Sequence, residues 1–177
     1  MNRNIEMKAR VARPDQMQNM LQALSDTPCQ ALYQEDTFFR TSSGRLKLRI
    51  TSRRGAELIY YERPDLSAPG ESRYIRCEMP DPVEVQRMLS AAFGVQGVVK
   101  KKRLLYTVGQ VRLHLDTVQS LGTFLEIEVV LTPEQTEDEG KRIACELADR
   151  LGVQTDDLVP CAYIDLLRDP DLHLATQ

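Results

Sequence analysis

Charged side chains recur at every second position in five stretches of this chain, and that spacing decides which of them can act together. Glu126 and Glu128 share one side of an extended run with Phe124, opposite Leu125, Ile127, Val129 and Leu131. Arg45, Lys47 and Arg49 stand opposite Leu46, Leu48 and Ile50. Lys101 and Arg103 stand opposite Leu104 and Tyr106, while Arg112, His114 and Asp116 stand opposite Val111, Leu113 and Leu115. Glu6 and Lys8 oppose Ile5 and Met7. Carboxylates grouped in this way suit a hard divalent cation, Mg²⁺ or Mn²⁺, held through oxygen. Arginines and lysines in rows suit an extended polyanion, because a guanidinium fork matches phosphate oxygens. Burying either set alone costs on the order of several kcal/mol per ion. A metal and a polyphosphate bound together would offset both costs.

The plain alternative is the wet face of an ordinary antiparallel sheet. Against it, the polar positions are nearly all charged, with few of the threonines, serines and glutamines that such faces usually mix in, and their signs are segregated strand by strand. The glycine-rich phosphate cradles GxxxxGK[ST] and GxGxxG are both absent, so any phosphate would be gripped by side chains.

The elements that must position these rows follow from the same periodicity. Asn2 to Arg13 alternates, and Pro14-Asp15 opens a short helix through Leu24. Tyr33–Arg40, Arg45–Arg53 and Glu57–Arg63 read as strands separated by turns at Ser42-Ser43-Gly44 and Arg54-Gly55. Pro64 to Gly70 reads as a loop, the stretch least able to order itself, and Arg73–Glu78 as a short strand. Asp81-Pro82 caps a helix running to Phe93. Val98–Thr107, Val111–Val118 and Thr123–Leu131 are three further strands. Thr132-Pro133 is expected to start a long acidic helix that stops at Gly152, and a short helix over Ala162–Leu167 ends the fold. About eight strands and four helices, with strands joined to strands by short turns, point to an α+β fold built on an antiparallel sheet, and eight strands suffice to close a small barrel.

The chain of 177 residues suits a single domain, 1–177. It is 42% hydrophobic and 28% charged, has no apolar run of the ~18 residues a spanning helix needs, and starts without the apolar core of a secretory signal. No membrane association is expected. Cys29, Cys77, Cys145 and Cys161 are widely spaced, which disfavours a zinc cluster and suggests reduced, mostly buried thiols in a cytoplasmic protein. Residues 1–133 carry 19 basic and 15 acidic groups, net +4, and residues 134–177 carry 4 and 11, net −7. The front of the chain therefore favours anions. Lys100-Lys101-Lys102-Arg103 and Arg53-Arg54 would suit nucleic-acid phosphates, yet the chain is acidic overall, lacks tryptophan and has 6% aromatic residues, so specific nucleic-acid binding is not expected.

Taken in order, the motifs resemble the CYTH superfamily, the triphosphate tunnel metalloenzymes, and within it the class IV adenylyl cyclase-like branch. Asn4-Ile5-Glu6-Met7-Lys8 resembles the family's ExExK signature, with asparagine in the first acidic place. Asp36-Thr37-Phe38-Phe39 with Gly44-Arg45-Leu46-Lys47-Leu48-Arg49 is similar to the second hairpin, and Tyr60-Tyr61-Glu62-Arg63-Pro64 to the strand after it. Lys101-Lys102-Arg103 resembles the KxR element, and His114-Leu115-Asp116 through Leu121-Gly122-Thr123-Phe124-Leu125-Glu126-Ile127-Glu128 the LD…LGxFxEIE stretch. Leu151-Gly152 onward to Tyr163 and Leu166-Leu167 is similar to the tail of that branch.

The resemblance implies a closed antiparallel eight-stranded tunnel with charged walls, flanked by helices, and a metal-dependent reaction on a triphosphate. It implies Glu6, Asp116, Glu126 and Glu128 as ligands of Mg²⁺ or Mn²⁺. Lys8, Arg45, Lys47, Arg49, Arg63, Lys101, Arg103 and Arg112 would hold the triphosphate, with Lys8, Arg63 and Asp116 nearest the chemistry. Arg49, Arg63 and Arg112 have a second reading as partners of neighbouring carboxylates. Asn4 cannot supply the charge of the residue it replaces. His114 shares the charged face as a bystander, Lys100 and Lys102 have the parity of the solvent side, and Tyr33, Phe39 and Tyr61 are candidates for a base pocket. The implied reaction is conversion of ATP to cyclic AMP and pyrophosphate. The alternatives are hydrolysis of thiamine triphosphate or inorganic triphosphate, and a non-catalytic module that binds a nucleotide or polyphosphate. A homodimer is compatible with the resemblance.

Overall fold

Alternation over eight strands produces a sheet that closes on itself. The computed structural model describes residues 1–52 and 54–169. Its elements are β1 (Asn2–Arg10), α1 (Pro14–Leu24), β2 (Gln30–Phe39), β3 (Arg45–Thr51), β4 (Gly55–Glu62), β5 (Gly70–Glu78), α2 (Pro82–Phe93), β6 (Val95–Val108), β7 (Val111–Val118), β8 (Gly122–Val130), α3 (Glu137–Arg150) and α4 (Tyr163–Arg168), with a 3₁₀ turn at Thr155–Asp157. The ring runs β1-β5-β4-β3-β2-β6-β7-β8, antiparallel throughout, and leaves no free edge. β1 closes it, pairing Asn4 with Ser72 on β5 and Lys8 with Glu126 on β8.

The apolar core lies outside the ring, between the barrel wall and its helices. Ile5, Met7, Leu113, Leu115, Leu125 and Ile127 turn outward and pack under Ala144, Leu147 and Ala148 of α3 and Leu21 of α1. Phe39, Leu48 and Ala56 meet Val85 and Leu89 of α2. A third cluster sits at one end of the barrel, where Phe38, Val99 and Phe124 meet Tyr163, Ile164 and Leu166. With the hydrophobic faces committed outward, the period of two sends the charged faces inward.

Several boundaries differ from those expected. The long acidic helix starts at Glu137, not at Thr132-Pro133. Thr136 caps it, accepting from the Glu139 amide at 3.2 Å while the Glu139 carboxylate accepts from the Thr136 amide at 2.7 Å. Gly152 takes the left-handed turn expected beyond that helix, with φ 70°. β2, β5 and β6 begin earlier than their alternation suggests, because pairing of Gln30 with Leu105, of Gly70 with Glu6 and of Val95 with Phe39 extends them. β3 ends at Thr51, and Arg53 of the Arg53-Arg54 pair lies outside the described residues. The Pro64–Gly70 loop is tied to the barrel by Asp65, 2.8 Å from Arg45. Only Cys161 is buried; Cys77 and Cys145 are exposed, on faces of β5 and α3 that nothing covers. Among the described residues no helix is long and apolar enough to cross a membrane.

Candidate active site

The barrel encloses a cavity of about 380 Å³. Nine cationic side chains line it (Lys8, Lys47, Arg49, Arg54, Arg63, Arg76, Lys101, Arg103 and Arg112) against five carboxylates (Glu6, Asp36, Glu57, Glu126 and Glu128). The cations outnumber the anions because single carboxylates hold several of them. Asp36 accepts a bidentate pair from Arg49 at 2.7 and 2.6 Å and binds Lys47 at 3.1 Å. Asp116 binds Lys101 at 3.1 Å, takes both arms of Arg103 at 2.7 and 2.5 Å, and accepts from the Tyr163 hydroxyl at 3.2 Å.

Cross-strand register sets the remaining pairs. Lys8 faces Glu126 at 3.2 Å, and Arg103 reaches the same carboxylate at 2.5 Å. Arg63 meets Glu6 at 3.3 Å and Arg112 meets Glu128 at 3.4 Å, so both double as carboxylate partners. His114 lies between the two glutamates, Nδ1 at 3.5 Å from Glu126 and Nε2 at 3.7 Å from Glu128. Asn4 donates its amide to Glu128 at 2.7 Å.

Burial and neighbours set the charge states. Burial pushes the Asp116 carboxyl up, but Arg103 and Lys101 outweigh it and bring it down to about 2. Burial acts on Glu126 in the same sense and is overcome by Lys8 and Arg103, which hold it well below the carboxylate range. Asp36 is likewise held low by Arg49 and Lys47 against its own desolvation. Desolvation, with Arg49 beside it, lowers Lys47 to about 7 despite Asp36. Burial and Arg103 lower His114, which is therefore neutral near pH 7.

One end of the cavity is covered. The Lys8 ammonium donates to the Cys161 carbonyl at 3.3 Å and sits 4.1 Å above the Tyr163 ring, and Arg63 donates to the Pro160 carbonyl at 3.3 Å. Gly97 lets this segment close in, since a Cβ there would stand 2.6 Å from Ile164 Cδ1.

The interior thus gathers Glu6, Lys8, Lys47, Arg49, Arg63, Lys101, Arg103, Arg112, Glu126 and Glu128. Two expected residues stand apart. Asp116 has no exposed surface and lies behind Arg103 and Lys101. Arg45 lies at the rim, bound to Asp65 and Asp165 at 2.8 Å each, where it lines an outer groove. Asp36 was missed, since its face shows a single acid among Leu32, Gln34 and Phe38. Tyr61 lines the cavity, Phe39 is in the outer core and Tyr33 is exposed. Lys100 and Lys102 face outward, Lys100 paired with Glu35 at 3.0 Å.

The donor set fits a hard divalent cation. Glu6, Glu126 and Glu128 offer oxygens from adjacent strands, and no thiol lines the interior. Among the described residues no three acidic, histidine or cysteine side chains already converge on one point, so phosphate oxygens and water would complete the shell.

A protein of Methanocaldococcus jannaschii provisionally named an adenylate cyclase is 22% identical over 170 residues, covering 92% of this chain and 97% of its own. A solved structure from Pyrococcus horikoshii superposes with a TM-score of 0.82 at 32% identity, covering 92% of this chain and 98% of its own. A Hippeastrum protein, provisionally named an adenylyl cyclase and described as having a dominant triphosphatase activity, shares the fold with a TM-score of 0.66 at 19% identity, over 95% of each chain. The CYTH domain model matches residues 2–163, which hold all eight strands of the barrel and the segment that caps it, and the chain belongs to the CYTH family.

Proposed function

We propose that this protein is a metal-dependent enzyme that binds a nucleoside or organic triphosphate inside the barrel and, in the manner of class IV adenylyl cyclases, converts ATP to cyclic AMP and pyrophosphate. The observation that carries the reading is the excess of cationic side chains over carboxylates along the cavity wall, nine against six once Asp116 behind Lys101 and Arg103 is counted, in a cavity of small-ligand size. A triphosphate supplies the missing negative charge in an extended form that a barrel axis accommodates. Lys8, Lys47, Arg49, Lys101 and Arg103 would turn from their carboxylates to the phosphate oxygens, gripping the chain and stabilising the charge on the departing pyrophosphate. Arg63 and Arg112 would hold its ends. Asp116 would keep Arg103 and Lys101 aimed inward.

Glu6, Glu126 and Glu128 would hold Mg²⁺ or Mn²⁺, which supplies charge neutralisation and lowers the pKa of the attacking hydroxyl. The capped end, with Tyr163 and the Cys161 carbonyl at Lys8, would limit water at that side of the cavity.

The test is product analysis. The protein is incubated with ATP, thiamine triphosphate or inorganic triphosphate, each with Mg²⁺ or Mn²⁺, and the products are separated by chromatography. Cyclic AMP with pyrophosphate is the expected outcome. Orthophosphate with a diphosphate would replace cyclisation by hydrolysis in the same tunnel. Triphosphate bound but never turned over would make the barrel a binding module.

A further inference from the structure

The wall formed by β1, β4 and β5 carries an uncharged strip. Asn4 and Ser72 are direct cross-strand partners on the inward face, 2% and 1% exposed. Their side chains spring from backbone positions that place Cβ atoms about 4.5–5.5 Å apart. The Asn4 amide orientation is fixed: Nδ2 donates to Glu128 at 2.7 Å, and a carboxylate can only accept, so Oδ1 is the free end. Asn4 Oδ1 and Ser72 Oγ both lack a hydrogen-bond partner among the described residues. Two buried orphan polar atoms on directly paired residues of the cavity wall call for a ligand group.

The chemistry of that group is constrained. Asn4 Oδ1 only accepts, whereas the Ser72 hydroxyl donates as well as accepts. A phosphate oxygen offers no proton and would be repelled by the amide carbonyl. A hydroxyl satisfies both at once, donating to Asn4 and accepting from Ser72. The strip continues into two aromatic rings that also line the cavity, Tyr74 two residues beyond Ser72 and its cross-strand partner Tyr61. A hydroxyl site next to aromatic faces matches a sugar next to a base.

We infer that Asn4 and Ser72 form a hydroxyl-binding subsite that reads the sugar of a nucleoside triphosphate, with Tyr74 and Tyr61 beside the base. This rests on the triphosphate reading of the tunnel and assigns the organic half of the substrate. It makes the pair a specificity determinant, because thiamine triphosphate and inorganic triphosphate carry no sugar hydroxyl.

The experiment is calorimetric titration of the full chain, in EDTA and then with Mn²⁺. The ligands are ATP, 2′-deoxy-ATP, 3′-deoxy-ATP and inorganic tripolyphosphate, against the wild type and Ser72→Ala. For the wild type, one of the two deoxynucleotides is expected to bind about five- to tenfold more weakly than ATP, the loss of one hydrogen bond. Ser72→Ala is expected to weaken ATP by a similar factor, to weaken that deoxynucleotide no further, and to leave tripolyphosphate unchanged. If the wild type binds tripolyphosphate but holds all three nucleotides equally, or rejects them, the inference is overturned. A parallel loss for all four ligands together with a raised Mn²⁺ requirement also overturns it, by making the pair cation ligands. If tripolyphosphate itself does not bind, the tunnel reading fails first.

Discussion

Asp116 has four hydrogen bonds from Lys101, Arg103 and Tyr163 and no contact with solvent. Removing one member of such a buried network strands the others, so Asp116→Ala is expected to lower the unfolding free energy by about 3–5 kcal/mol in denaturant titration. Glu126 differs, because its side chain remains partly open to the cavity. Glu126→Gln is expected to lower turnover by about a hundredfold or more while triphosphate affinity holds or rises, since the variant frees Lys8 and Arg103. Lys47 gives a signature in pH. Its amine, lowered to about 7, is largely neutral in the free protein at about pH 8, and a bound triphosphate favours the charged form. Binding there is expected to take up a proton, with affinity falling as pH rises through about 7. Titrations in Tris and in HEPES, whose ionisation enthalpies differ, would read the uptake as a difference in apparent heat, and equal heats would contradict it.

Parity carried most of the elements and most of the interior. Because the residues flanking Glu126 and Lys47 are long apolar side chains, alternation alone assigns those charges to one face. What alternation cannot see is partnership across the chain. Arg45 has the parity of Lys47, yet Asp165, 120 residues away, holds it at the rim. The α3 start was misplaced because Pro133 mimics a first-turn proline, whereas the capping box at Thr136 and Glu139 prevails locally. The same helix hides a steric constraint. Gly140 lies against the barrel, where an added Cβ would meet Ile5 Cγ1 at 2.5 Å and Leu131 Cδ2 at 2.7 Å. Gly140→Ala, a change that favours an isolated helix, is expected here to destabilise by about 1–3 kcal/mol, read from the denaturation midpoint.

At the scale of the molecule, the barrel turns ordinary architecture outward, with its apolar core outside the ring and its ions within. Folding therefore confines cations that only a ligand fully compensates. Tripolyphosphate at about a hundred times its Kd is expected to add about 2.7 kcal/mol of stability, roughly 5–10 °C in Tm for a chain of this size. A thermal melt would show the shift, and an unchanged Tm at saturating ligand would contradict an anion site in the barrel.

The closure of the ring by β1 also bears on biosynthesis. Glu6 and Lys8 find their register only against Gly70 on β5 and against Glu128 and Glu126 on β8. The ribosome releases β1 first and β8 last among the strands, so the earliest residues of the site must wait for most of the chain before they acquire neighbours. A nascent chain halted before β8 has an unpaired first strand and lacks both strand-borne glutamates. Ligand binding to arrested chains of increasing length should consequently begin in one step, once Val130 has cleared the ribosome, rather than grow strand by strand.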